Sequence, residues 1–107
     1  MFTRDEMVDF IYDASFLGGD YWIDSTEEDG DTTIIHPIED EPAVQVDKEK
    51  FSQAIDAWAE KNKDSGNDYY ATFSTDWLAE NWDAADYDHD IADLILQYCV
   101  FGKYVFG

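Results

Sequence analysis

Residues 86–101 read DYDHDIADLILQYCVF, and the fold turns on this stretch. Its spacing predicts a helix from about Asp88 to Phe101, capped by Gly102. Ile91, Leu94, Ile95, Leu96, Tyr98, Val100 and Phe101 leave almost no polar face, and a helix of that kind lies mostly inside a protein. The polar exception is a narrow stripe. Asp86, Asp90, Asp93 and Gln97 fall at i, i+4, i+7 and i+11 if the helix begins by Asp86. The rest of the chain must supply the cover.

Upstream, Tyr69–Phe73 reads as a strand, followed by a short helix capped by Ser74 or Thr75 that turns Trp77, Leu78, Trp82 and Ala85 inward. A longer helix starts at Asp47 as N-cap, buries Phe51, Ala54, Ile55 and Trp58, and ends at Ser65-Gly66-Asn67. Strand character marks 20–24 and the β-branched run Thr32–His36, which Pro37 confines to an edge or an end. An acidic turn at 27–31, containing Gly30, joins these two as a hairpin, and Ala43–Val46 is a third short strand. At the N-terminus Thr3 and Glu6 form a capping box ahead of Met7, Phe10, Ile11, Ala14 and Leu17, and Gly18-Gly19 stops that helix. Lys103–Phe106 adds a final strand. The expectation is one α+β domain over residues 1–107, with three to four helices on a small, mainly antiparallel sheet.

The charge balance narrows the function. The chain carries 26 acids against 6 Lys and Arg, a formal net charge of −20, yet 45% of it is hydrophobic and 17% aromatic. High charge with few apolar residues would predict disorder; here it predicts a core inside a negative surface, one that repels nucleic acid and anionic lipid and attracts basic partners. A compact chain of this length has a radius of gyration of about 13 Å, or roughly 34 Å end to end. Duplex DNA carries about one charge per 1.7 Å, so twenty charges match about ten base pairs, an equal length of duplex.

The acids are also unevenly placed. Asp5 to Glu41 holds 13 acids and no Lys or Arg, and Ser65 to Gly102 holds 8 more, again with none. Lys48, Lys50, Lys61 and Lys63 fall in the segment between, which nets −1. Asp5/Asp9, Asp9/Asp13, Asp76/Glu80 and Asp86/Asp90 stand four residues apart, where like charges destabilise a helix. Uncorrected repulsion of this kind points to use. The candidate contact residues are the rows Asp76/Glu80/Asp83 and Asp86/Asp90/Asp93 with Asp88, and the acidic turn Glu27, Glu28, Asp29 and Asp31.

Other chemistry finds little support. Asp86-x-Asp88-x-Asp90 resembles the start of a calcium loop, but Ile91 stands where that loop needs Gly and Gln97 where it needs Glu. His36 and His89 belong to no metal-spaced or catalytic set, and lone Cys99 lies on an apolar helix as a core residue. There is no phosphate-binding Gly-rich loop and no nucleophile or zinc motif, so no catalytic residue, cofactor or metal ligand is assigned. Six basic residues do not suit direct nucleic-acid binding, and no stretch approaches the length of a membrane span. The single cysteine and the lack of a signal-peptide pattern fit a reducing compartment, the cytoplasm of a bacterial host.

In size, acidity, aromatic content and cysteine poverty the chain resembles the small DNA-mimic inhibitors of phages and mobile elements, which block restriction enzymes, CRISPR effectors, repair glycosylases or nucleoid proteins. That resemblance implies a non-enzymatic inhibitor, monomer or homodimer, whose partner is a basic nucleic-acid-binding protein. Three readings compete with it. An immunity or antitoxin-like protein would plug a basic nuclease with a few acids around an aromatic anchor. A salt-adapted protein would have no special partner, and a small enzyme would use a carboxylate pair.

Overall fold

The computed structural model describes residues 1–106 and shows an α+β fold of four helices and one three-stranded antiparallel sheet. The elements follow the chain as α1 (Arg4–Gly18), β1 (Ile23–Asp29), β2 (Thr32–Pro37), β3 (Val44–Val46), α2 (Lys48–Asn62), α3 (Asp68–Leu78) and α4 (His89–Phe101). α4 is central, as its apolar composition requires: α1 and α2 pack on it, β3 touches it, and Ile91, Ala92, Ile95 and Leu96 lose all contact with solvent. Asp88 caps α4 by accepting the Ile91 N–H at 2.9 Å, and Gly102, at φ +71°, closes it.

α1 starts with the expected capping box between Thr3 and Glu6. Its buried stripe is rotated from the expected one and runs through Met7, Val8, Ile11, Tyr12, Ala14 and Ser15. Phe10 and Leu17 are therefore 42% and 68% exposed, and Phe10 stands edge-on to Phe2 instead of entering the core. At its other end α1 meets α4 so closely that a Cβ on Gly18 would collide with the His89 carbonyl.

The sheet has the order β1-β2-β3, with Pro37 at the end of the central strand. β1 begins at Ile23 and runs to Asp29; Tyr21 and Trp22, expected inside a strand at 20–24, lie in the turn before it. The hairpin turn is therefore Gly30-Asp31 alone, with Gly30 at φ +62°, and Glu27 and Glu28 are strand residues. β2 and β3 carry the sheet's apolar load, with Ile35 and Val46 fully buried.

Two other elements differ from expectation. Tyr69–Phe73 is helical, the first half of an α3 that Asn67 caps by accepting from the Tyr69 and Tyr70 N–H groups. The aromatics that suggest a strand fall three and four residues apart. They place Tyr70 and Phe73 edge-on against Trp58 of α2, and that packing overrides strand propensity. The helix consequently ends at Leu78, leaving Leu78 at the surface, and Trp82 and Ala85 reach the interior from the connection that follows. Residues 103–106 form no strand. They are held by the Gln97 side chain, which accepts from Val105 N–H (3.0 Å) and Phe106 N–H (2.9 Å) and donates to the Phe106 carbonyl (3.1 Å). The Phe106 ring then stacks on Trp22, 5.4 Å between centroids.

Gln97 shares its site with Asp93. The buried Asp93 carboxylate accepts from Trp22 Nε1 (2.6 Å), the Tyr21 hydroxyl (2.7 Å) and Gln97 Nε2 (3.2 Å). Burial, and then the hydrogen bond to Asp93, push the Tyr21 hydroxyl up to about 12. By contrast, the buried Ser74 hydroxyl on α3 has no partner among the described residues.

These sites set three stabilities, readable by urea unfolding. Asp93→Ala strands the buried Trp22 N–H and takes one acceptor each from the Tyr21 hydroxyl and the Gln97 amide, and should cost about 3 kcal/mol. Asp86→Ala, in an exposed connection, should stay within about 0.5 kcal/mol. Ser74→Ala removes an unsatisfied buried hydroxyl from a helix and should stabilise by about 1 kcal/mol.

Candidate functional site

Three of the cations form ion pairs with carboxylates. Arg4 reaches Asp56 at 2.9 Å and lies over the rings of Trp77 and Trp82. Lys63 pairs with Glu60 one turn away, and Lys48 crosses from α2 to Asp9 at 3.0 Å. The Asp5/Asp9/Asp13 row of α1 is therefore partly compensated by a cation that the linear sequence places far off. Two acidic regions contain the expected contact residues.

The first lies under β1. Strand pairing sets which way each side chain points: Thr26 sits opposite buried Ile35 and Glu28 opposite buried Thr33, so both belong to the sheet's inner face. β1 nevertheless has no apolar residue there beyond Ile23, and every residue from Asp24 to Asp29 is exposed. The sheet is wider than its helical cover. The overhang leaves a groove of about 820 Å³ with Tyr12, Phe16 and Ile23 on its apolar side. Six carboxylates surround it, Asp20, Asp24, Glu28, Asp31, Asp47 and Glu49, with Lys48 as the one cation. Inside, the Tyr12 hydroxyl meets Thr33 Oγ1 at 3.0 Å, and burial raises its pKa.

The expected acidic turn is thus divided. Glu28 and Asp31 line the groove. Glu27 and Asp29 pair with Ile34 and Thr32 on the opposite face of the sheet, where Glu27 contacts His36 Nε2 at 2.8 Å.

The second region is the connection from α3 to α4, and it does not hold the expected rows. Asp76 is on α3, but Glu80 lies beyond the helix at φ +60°, in the left-handed turn that closes it, so the two do not share a helical face. Asp83 accepts the Phe2 N–H at 2.7 Å and anchors the N-terminal segment. Asp86 precedes α4, Asp88 caps it, and Asp90 stands in its first turn. Asp93, expected on the surface, is 5% exposed: three donors inside the fold hold it, so it cannot be a contact residue. What the structure does assemble is a patch of Asp86, Asp88 and Asp90 around Tyr69, 39% exposed on α3. Burial first, and then those three carboxylates, push the Tyr69 hydroxyl up to about 12.

Among the described residues no three His, Cys, Asp or Glu side chains are grouped to hold a metal ion. Burial pushes the Cys99 thiol up to about 11, away from the reactive thiolate.

The patch predicts a titration. Tyr69 should ionise near pH 12, and Asp86→Asn with Asp90→Asn should lower its midpoint without restoring 10, because burial is the larger cause. A tyrosine whose pKa is raised by folding leaves stability intact below about pH 10 and removes it as pH climbs toward 12. Ring-carbon NMR of Tyr69 reads the first, and urea unfolding across that window reads the second. A midpoint unmoved by the double variant would mean that those carboxylates do not converge on Tyr69.

Comparison with protein-family models, with curated proteins and with solved structures finds no match to this chain.

Proposed function

We propose that the protein is a non-enzymatic DNA mimic that occupies the basic DNA-binding surface of a host restriction, CRISPR, repair or nucleoid protein. One quantity carries the reading. The molecule measures 37 × 30 × 18 Å and bears a net charge of −20. A duplex 37 Å long carries about 22 charges at one per 1.7 Å. Length for length, the protein presents the charge of DNA on a body that basic clefts could accept. The contact residues are Glu28 and Asp31 with the groove acids Asp20, Asp24, Asp47 and Glu49, and Asp86, Asp88 and Asp90 around Tyr69.

One observation favours a second reading, an immunity or antitoxin-like plug for a basic nuclease or toxin. The groove is compact, and its carboxylates flank an apolar wall of Tyr12, Phe16 and Ile23, the layout of a local anchor rather than of an extended track.

The two readings part in one experiment. The immobilised protein captures partners from host lysate, and excess duplex DNA is then added. Mimicry expects DNA-binding proteins released by duplex in proportion to its concentration. It also expects affinity to fall at least about tenfold between 50 and 200 mM salt. Partners that duplex cannot displace, held with little salt dependence, would sink mimicry and leave the plug.

A further inference from the structure

We infer that β1 docks an extended basic segment of the partner by strand addition, with the segment's alternate side chains entering the groove beneath. The inference rests on the partner being basic, as proposed above, and not on its being a DNA-binding protein.

The first support is an open sheet edge. β1 pairs with β2 on one side only. On the other side no backbone group of residues 24–29 has a partner among the described residues. Such an edge is a template for another strand, and proteins normally shorten, twist or cover it. Here Asp24 forms an irregularity at the start, after which Ser25–Asp29 pairs regularly and stays exposed. No proline interrupts it.

The second support is charge, which selects the occupant. Pairing β1 with β1 of a second copy would bring together two strands that each carry Asp24, Glu27, Glu28 and Asp29 and no cation, and like charges across strands oppose pairing. A strand carrying Lys or Arg meets the opposite situation.

The third is the groove. A strand added outside β1 continues the overhanging sheet, so every second side chain points to the inner face. There the aliphatic stem of an Arg or Lys finds Tyr12, Phe16 and Ile23, while its charged head finds Asp20, Asp24, Glu28 and Asp31. Main-chain hydrogen bonds supply attachment, and the alternate pockets supply choice, as in other strand-addition complexes.

The test uses the whole protein and four eight-residue peptides. One alternates Arg and Thr. One has the same composition with the Arg residues clustered. Two are alternating peptides N-methylated either on the Arg or on the Thr nitrogens. Because successive N–H groups of a strand face opposite edges, one methylated peptide should bind like its parent and the other about tenfold more weakly. The clustered peptide should also bind at least about tenfold more weakly than the alternating one. The alternate amides of Ser25–Asp29 that face the open edge should gain protection from hydrogen exchange with the alternating peptide. Equal binding of all four peptides, or protection at Asp86–Asp90 in place of β1, overturns the inference. Protection at β1 with partners that duplex cannot displace would sink mimicry alone. Duplex-displaceable partners with β1 unprotected would sink strand addition alone.

Discussion

A buried carboxylate without a cation holds this molecule together. Asp93 takes a hydrogen bond from Trp22, another from Tyr21 and a third from Gln97, and Gln97 in turn holds the backbone of Val105 and Phe106. A buried polar group is tolerable only when its lone pairs are filled, and here they are filled by two adjacent residues of the turn before β1 and by Gln97 of the same helix. The turn that launches the sheet, the central helix and the C-terminal segment are thereby tied at one point. The position of β1, and with it the overhang and groove, follows from where that turn is pinned.

The same economy explains how so acidic a chain stays folded. Self-repulsion on the surface works against compactness. Trp22, Trp58, Trp77, Phe51 and Phe73 are essentially wholly buried, a large apolar area for 107 residues. The few cations reinforce that core. Arg4 bridges Asp56 and two indole rings, and Lys48 joins α2 to α1, so these two positive charges couple separate elements. Balanced seams and unbalanced faces are separate features, which sequence counts alone merge into one net number.

Legibility followed the range of the interaction. Helix ends set by neighbouring residues were readable: Thr3 with Glu6, Asp47, and Gly102 each act as their chemistry suggests. The apolar run in α4 correctly marked the centre. The aromatics of α3 misled, because Tyr69–Phe73 suits a strand until Trp58 offers a partner across a helical face. The stripe Asp86, Asp90, Asp93 and Gln97 illustrates the limit best. Its two later members lie inside, and only the distant Trp22 and Tyr21 decide that. The groove, drawn from four segments, has no linear spacing at all. Its single trace in the sequence is the absence of an inward apolar residue from Asp24 to Asp29, which marks a strand that nothing covers.

The contact between Gly18 and the His89 carbonyl bears on the shape of the groove. Only a residue without a side chain lets the two backbones meet, so the end of α1 is held at a fixed separation from the start of α4. Asp20 and Ile23 follow within a few residues of that contact and help to line the groove, so the wall they supply is tied to the central helix.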